Sequence, residues 1–188
     1  MEHINEQNNS VLANLISKLV TELDEKDGLK RRAVRQKLEQ IGSPAVPYLI
    51  KALEHPKDYV RWEATKTLIK IRDKRAAPAL TKVLMDERFE IQWLAAEALI
   101  ALGRNAVIPL LEELTRNYGS VFLRQGAHHV LHDLKQKNLL DVRTLRVIDE
   151  LSNIEPIEPF PILAKYALDS LRNKAQMEET QSGAQIKP

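Results

Sequence analysis

The fold is decided by the stretch VRWEATKTLIKI, residues 60–71. Its apolar side chains recur every three or four residues, and they are Val60, Ala64, Leu68 and Ile71. This spacing places all of them on one face of an α-helix. After a short break, Leu80 and Leu84 repeat the helical spacing. The region is therefore predicted to form two consecutive amphipathic helices.

The same pattern returns on both sides of this stretch. Three segments align, namely VRQKLEQIGSPAVPYLIKAL (34–53), ATKTLIKIRDKRAAPALTKVL (64–84) and AAEALIALGRNAVIPLLEEL (95–114). Their prolines Pro47, Pro78 and Pro109 are separated by 31 and 31 residues. The same step makes further positions equivalent: Trp62 and Trp93; Val60, Ile91 and Phe122; Ala64, Ala95 and Gly126; Leu68, Leu99 and Val130. Such agreement indicates an internal structural repeat.

The break inside each unit carries turn residues. Ser43 and Pro44 are typical of a helix N-cap and a first helical residue. Gly42 and Gly103 suit the positive φ at which many helices end. The repeated prolines fall in the first turn of the second helix, where a missing N–H is tolerated. Each unit is therefore predicted to be an antiparallel helix pair of about 14 and then about 11 residues.

Stacked pairs of this kind predict an all-α protein with an α-α superhelix, that is, one solenoid domain over residues 10–174. The chain divides into a disordered N-terminus (1–9), a cap helix (10–24), repeats at about 29–57, 58–88 and 89–119, a degenerate repeat (120–152), a C-terminal cap helix (161–174) and a disordered tail (175–188). A stiff turn, IEPIEPFP, precedes the last helix at 154–161. The caps are needed because a terminal repeat leaves one apolar flank uncovered.

Three of these stretches resemble the HEAT-like repeats of bacteria and archaea, including the type named after phycobilisome lyases. The resemblance covers about 30–135 and rests on VRWEATKTLIKI, AAEALIALGRNAVIPLLEEL and IGSPAVPYLIKAL. It implies a HEAT-like solenoid whose ridge and groove bind partners. It implies no single activity, because members of the family include scaffolds, lyase subunits, hydroxylases and glycosylases.

Composition narrows the classes of function. Cysteine is absent, which excludes disulfides, thiolate metal sites and cysteine nucleophiles. The N-terminus lacks a secretory signal pattern and no apolar run of membrane-spanning length is evident, so we expect a cytoplasmic protein without a membrane partner. The 28 basic and 26 acidic residues are interspersed and give a formal charge of +2. This balance argues against nucleic acid as a partner. We expect a monomer.

The sequence HHVLHD offers a possible metal site. His128 and His132 lie four residues apart on one helical face, close to Asp133. The repeat step, however, places both histidines in solvent-facing columns, and no third ligand is identifiable. The iron hydroxylases of the HEAT-like family carry His-Glu pairs, and this chain has none. The sequence therefore predicts neither a metal ion nor another cofactor.

Trp62 and Trp93 could grip a base or a tetrapyrrole, but packing between neighbouring first helices explains them equally well. Two basic runs, at 30–35 and 70–75, could contact phosphate. Acidic residues intervene and no aromatic residues interleave with the runs, which favours ordinary solvated helix ends.

The second helices present the candidate functional surface. With Leu49, Leu80 and Leu111 facing inward, two neighbouring columns are predicted to face solvent on the concave side. The candidate partner-binding residues in these columns are Tyr48, Lys51, Lys82, Leu110 and Glu113. An apolar anchor flanked by charges of both signs is typical of a protein-binding surface.

The sequence therefore favours a non-enzymatic protein–protein interaction scaffold of unknown partner, with no catalytic residues. Two alternatives stay open. The first is a phycobilisome-lyase-like accessory protein that acts on bilin-bearing proteins, an alternative implied by the resemblance alone. The second is a nucleic-acid-binding protein or a DNA-repair glycosylase of the HEAT-like kind.

Overall fold

A computed structural model describes residues 2–152 and 160–184. These two ranges contain ten α-helices and no strand. In chain order the helices are α1 (Glu2–Glu22), α2 (Gly28–Ile41), α3 (Val46–Ala52), α4 (Asp58–Ile71), α5 (Ala77–Val83), α6 (Phe89–Leu102), α7 (Val107–Asn117), α8 (Val121–Gln136), α9 (Val142–Ser152) and α10 (Phe160–Ala184). Short 3-10 turns at Ser43–Ala45, Lys74–Ala76 and Gly103–Ala106 precede α3, α5 and α7.

The helices form a stack of two layers. The first helices α2, α4, α6 and α8 pack against one another in series. Each second helix packs against the first helix of the next unit, so α3 contacts α4, α5 contacts α6, and α7 contacts α8. Helix α1 packs on α2 and α3, whereas α10 packs on α7 and α9. The predicted all-α solenoid is confirmed.

The turn chemistry largely follows the sequence. Gly42 and Gly103 end their helices with φ of 73° and 61°. Arg72 occupies the equivalent place at the end of α4 and adopts the left-handed conformation with φ 55°. The expectation that Ser43 caps a helix is wrong. Its hydroxyl instead donates to Asp73 Oδ2 at 2.9 Å and ties two consecutive turns together.

Leucine, isoleucine, valine and alanine build a continuous core. Within α4, the predicted stripe of Val60, Ala64 and Leu68 is at most 2% exposed. The largest fully buried side chains are Ile16, Leu23, Leu38, Leu49, Leu80, Leu84, Ile91, Leu99, Leu110, Leu111 and Leu114. They come from both layers, and this burial is what holds the stack together.

The repeat step lengthens by one residue before α8. The residues that precede α4, α6 and α8 are Lys57, Arg88 and Ser120, which are separated by 31 and then 32 residues. The equivalents of Val60, Ala64 and Leu68 are therefore Leu123, Ala127 and Leu131, all fully buried. The predicted equivalence of Phe122 is wrong, because this side chain is 55% exposed. In the corrected alignment His129, not His128, shares a column with Glu97.

Both ends of the chain are more helical than the sequence suggested. Helix α1 begins at Glu2 and α10 continues to Ala184, so residues 2–9 and 175–184 are helical where disorder was expected. A helix whose apolar half is packed can extend at little cost, because its nucleus has already formed. Residues 154–159 of the expected turn lie outside the described residues.

Within the described residues one segment, Phe89–Asn117, is long and apolar enough to span a membrane. We had expected no such segment. It comprises α6 and α7, with Gly103 ending the first of them at positive φ. Its apolar residues include Leu99 and Leu111 of the core, and half of its most apolar window is buried. Core packing therefore explains its hydropathy.

Candidate functional site

The second-helix layer contains an open groove between α3 and α5. The groove has a volume of about 420 Å³. It is lined by apolar residues, namely Ile50, Leu53, Pro78, Ala79, Val83 and Met85, and by the charged residues Glu54, Arg75, Lys82 and Asp86. We call this site the α3/α5 groove.

The helical period produces the groove. Leu49 and Leu80 point into the core and are at most 1% exposed. The next residue of α3, Ile50, and the preceding residue of α5, Ala79, are therefore rotated toward the surface and remain half-buried. Because α3 and α5 are only seven residues long, the groove is short and open at its ends.

Three of the predicted binding residues lie on this side of the solenoid. Lys51 and Lys82 are exposed, and Lys82 lines the α3/α5 groove. Tyr48 is half-buried and packs against the core, so it offers only part of its ring to a partner. Whether these residues bind anything remains a prediction.

The prediction that Leu110 and Glu113 face solvent is wrong. Leu110 is fully buried and Glu113 is 4% exposed. The reason is α10, which packs on α7 and is held there by an ion pair between Arg172 and Glu112. The second-helix face is thus covered at α7 and open at the α3/α5 groove.

A surface that the sequence did not reveal lies on the first helices α6 and α8. Phe89, Trp93 and Phe122 are 70%, 48% and 55% exposed, and we call them the aromatic patch. Trp93 stacks on the imidazole of His129 from the neighbouring helix, with ring centroids 4.7 Å apart. The error in the repeat step hid this patch, because it assigned Phe122 to the core.

Trp62 lies in a different environment from its equivalent, Trp93. The Lys66 ammonium lies over the Trp62 ring, 4.1 Å from its centroid, and the tryptophan is half-buried against the core. Such a cation–π contact contributes modestly at a partly exposed position. Trp62 is therefore satisfied within its own helix, and the sequence gave no sign of the difference between the two tryptophans.

The histidines of α8 do not complete a metal site. His128 and His132 stack with their ring centroids 5.9 Å apart. Burial, and then the neighbouring His132 and His129, lower the pKa of His128, so its imidazole is neutral at pH 7. Across residues 2–152 and 160–184, no group of three or more His, Asp or Glu side chains is placed to hold a metal ion.

Buried charges on α4 link the units. Arg61 Nε and Nη2 donate to the two carboxylate oxygens of Asp86, at 2.7 and 3.0 Å. Glu63 Oε2 accepts from Arg35 Nε at 2.9 Å, and Glu63 Oε1 lies 3.7 Å from Arg31 Nε. Part of the basic run at 30–35 is therefore used inside the fold, as the solvated-end interpretation had not foreseen.

Glu63 should make stability depend on pH. Its burial raises the pKa of the carboxyl group, against the opposing effect of Arg35 and Arg31. The folded chain thus holds this proton more tightly than the unfolded chain. The contribution of Glu63 to stability is greatest below the ordinary glutamate pKa of about 4.3 and decreases as the pH rises through the folded value.

Urea unfolding of the wild type and of Glu63→Gln at pH 4 and pH 7 tests this expectation. The free energy of unfolding of the wild type, relative to the variant, should be smaller at pH 7 than at pH 4. The opposite trend would mean that the two arginines outweigh burial at this carboxyl group.

Comparison with known proteins gives the following. A family model described as HEAT repeats matches residues 15–90. A crystal structure of an engineered protein is 18% identical with a TM-score of 0.44, covering 92% of this chain and 90% of that one. A designed armadillo repeat protein in complex with the peptide (KR)4 is 18% identical with a TM-score of 0.39, covering 89% and 92%. A second designed armadillo repeat protein is 15% identical with a TM-score of 0.35, covering 83% and 99%. No match was found among curated proteins.

Proposed function

This chain is built from HEAT-like repeats, and we propose that it is a non-enzymatic interaction module that binds a segment of a partner protein in the α3/α5 groove. The observation that carries the proposal is the open groove itself, with its mostly apolar lining beside the exposed Lys82. An apolar site with a few polar groups is the usual composition of a binding pocket.

The groove is large enough for an anchor and too small to be a whole interface. Its volume of about 420 Å³ lies within the usual range of ligand pockets. A stable protein–protein interface buries about 800 Å² on each partner. The partner segment would therefore place one or two apolar side chains in the groove and extend over the neighbouring surface of α3, including Tyr48 and Lys51.

The rim charges would orient that segment. Asp86 is already held by Arg61, and Arg75 donates to Asp73 and to the carbonyl of Ser43. The charges left for a partner are those of Lys82 and Glu54, which form no ion pair among the described residues and have opposite signs. Such a pair favours one direction of a bound chain over the other.

The lining also supports a binding role over a catalytic one. The residues that line the groove include no serine, threonine, cysteine or histidine. Its one buried-side carboxylate, Asp86, is committed to Arg61. The groove therefore lacks the adjacent nucleophile and base that covalent catalysis requires.

Variants of the groove test the proposal against any partner captured by the wild-type protein. Lys82→Glu reverses the rim charge, and Ala79→Glu places a carboxylate in the apolar lining. Each should weaken partner binding by about 5- to 30-fold, as expected for a loss of roughly 1–2 kcal/mol at an anchor. Titration calorimetry gives the affinity, and circular dichroism should show unchanged melting for Lys82→Glu.

Two controls make the result specific. Lys165→Glu applies the same charge reversal on the exposed face of α10 and should leave binding unchanged. The double variant Phe89→Ser and Trp93→Ala removes most of the aromatic patch. Should a partner bind the groove variants normally and lose affinity with the patch variant, the working surface would be the first-helix face and the proposal would be wrong.

A further inference from the structure

Four turns form one continuous edge of the solenoid. They follow the first helices and comprise residues 42–45, 72–76, 103–106 and 137–141, which we call the turn edge. Arg75 Nη2 donates to the carbonyl of Ser43 at 2.7 Å, and Arg104 Nε donates to the carbonyl of Leu139 at 3.2 Å. The third turn packs on α5, which begins directly after the second. The turns therefore lie side by side.

The turn edge and the helix ends that lead into it carry cations without acidic partners. They are Lys37, Lys70, Arg72, Lys74, Arg104 and Lys135, all exposed. None of them forms an ion pair with a described residue. Lys37, Lys70 and Lys135 lie in the last turns of α2, α4 and α8, where the helix dipole favours positive charge. Arg72, Lys74 and Arg104 lie beyond the helices, where that explanation does not apply.

The acidic groups of this edge are already engaged. Glu39 pairs with Arg35 at 2.6 Å, and Asp133 pairs with Lys137 at 2.5 Å. Asp73 accepts hydrogen bonds from both Arg75 and Ser43. Asp141 accepts from the backbone N–H of Thr144 at 2.7 Å. The acids that interrupt the basic run in the sequence therefore do not neutralise its free cations in the fold.

The opposite edge, formed by the loops between units, is different. There the unpaired Glu25 and Glu54 alternate with the unpaired Lys26 and Lys30. The formal charge of +2 is thus unevenly distributed, since one edge is mixed and the other presents a single sign.

We propose that the turn edge is a second interaction surface, which binds the phosphodiester backbone of a nucleic acid. The free cations recur from one unit to the next, and packed helices are about 8–10 Å apart. Three such steps extend over about 30 Å, a length along which each nucleic-acid strand presents a phosphate every 3.4 Å or so. Contacts of this kind position a protein without reading sequence.

An acidic protein segment fits this edge less well. Protein partners draw most of their affinity from apolar and aromatic anchors seated in pockets. The free groups here are long, flexible, charged side chains, and the exposed aromatic residues Phe89, Trp93 and Phe122 lie on α6 and α8 near their N-termini. The proposal is independent of the α3/α5 groove, which lies on the second helices and would bind a different partner.

Fluorescence anisotropy tests the proposal with the full-length protein. The probes are a labelled 20-nucleotide single strand, a labelled 20-base-pair duplex of mixed sequence and a labelled poly-glutamate peptide, each at 50 and 200 mM salt. The test variant combines Lys70→Gln, Lys74→Gln and Lys135→Gln. The matched control combines Lys18→Gln, Lys26→Gln and Lys165→Gln, which removes three exposed cations elsewhere.

We expect the wild type to bind at least one nucleic-acid probe at 50 mM salt and to lose affinity steeply at 200 mM. The test variant should bind at least 10-fold more weakly, with a salt slope lower by about 2–3, while the control stays within threefold of the wild type. Absence of binding at 50 mM salt, or equal losses in both variants, would overturn the proposal. Tighter binding of poly-glutamate than of either nucleic acid would overturn it as well.

Discussion

A chain that lacks residues 1–24 should lose most of its stability and aggregate. Helix α1 covers the open flank of α2 and α3 with Ile16, Leu19 and Leu23, each at most 4% exposed. Burial of a large aliphatic side chain contributes about 1.5–3 kcal/mol. Losing three such contributions removes much of the 5–15 kcal/mol that stabilises a typical domain. Thermal melting followed by circular dichroism should show a broad, early transition.

A shorter deletion provides the control. Residues 7–10 are helical and exposed, so a chain that lacks residues 1–9 should melt within a few degrees of the full chain. Leu19→Ala should fall between the two, at a cost of about 2–5 kcal/mol. An unchanged melting temperature after removal of residues 1–24 would show that α1 is not a cap.

The sequence predicts the fold well because its signals are local. A helical period within about 12 residues decides each element, and the prolines mark the beginnings of α3, α5 and α7. Gly42 and Gly103 mark helix ends for the same reason, since positive φ is a property of one residue. None of these inferences requires knowledge of what lies across the core.

The alignment of the last unit fails because a repeat step can change between units. One extra residue before α8 rotates every later position by about 100° around its helix axis. That rotation moves Phe122 out of the core and brings Leu123 into it. The aromatic patch was missed for this reason alone. The polar residues that flank Phe122 contain no signal that separates a step of 31 from a step of 32.

The candidate binding surface fails at Leu110 and Glu113 for another reason. Their burial depends on α10, which lies more than forty residues further along the chain. A hint was present locally, because Leu110 and Leu111 are consecutive and point to two faces of α7. A helix with apolar residues on two faces is usually covered on both. The helix that supplies the cover cannot be identified from periodicity.

Arg61→Met should destabilise the protein by about 3–5 kcal/mol, the usual cost of removing one partner from a buried ion pair. The Arg61 and Asp86 side chains are 9% and 6% exposed. Arg61 also donates to the carbonyls of His55 and Pro56, at 2.9 and 3.2 Å. The variant would leave Asp86 charged and partly desolvated beside the α3/α5 groove, with two carbonyl groups short of a donor. Urea unfolding measures the loss.

An exposed pair in the same region separates burial from charge. Arg88 Nε lies 3.6 Å from Asp58 Oδ2, and both side chains are more than 40% exposed. Arg88→Met should therefore cost less than about 1 kcal/mol, because water screens such a pair. The double variant Arg61→Met with Asp86→Leu should recover part of the loss, since it removes the unpaired carboxylate along with its partner. If Arg61→Met and Arg88→Met cost the same, the buried pair contributes nothing beyond an ordinary surface contact, and the groove is held by apolar packing alone.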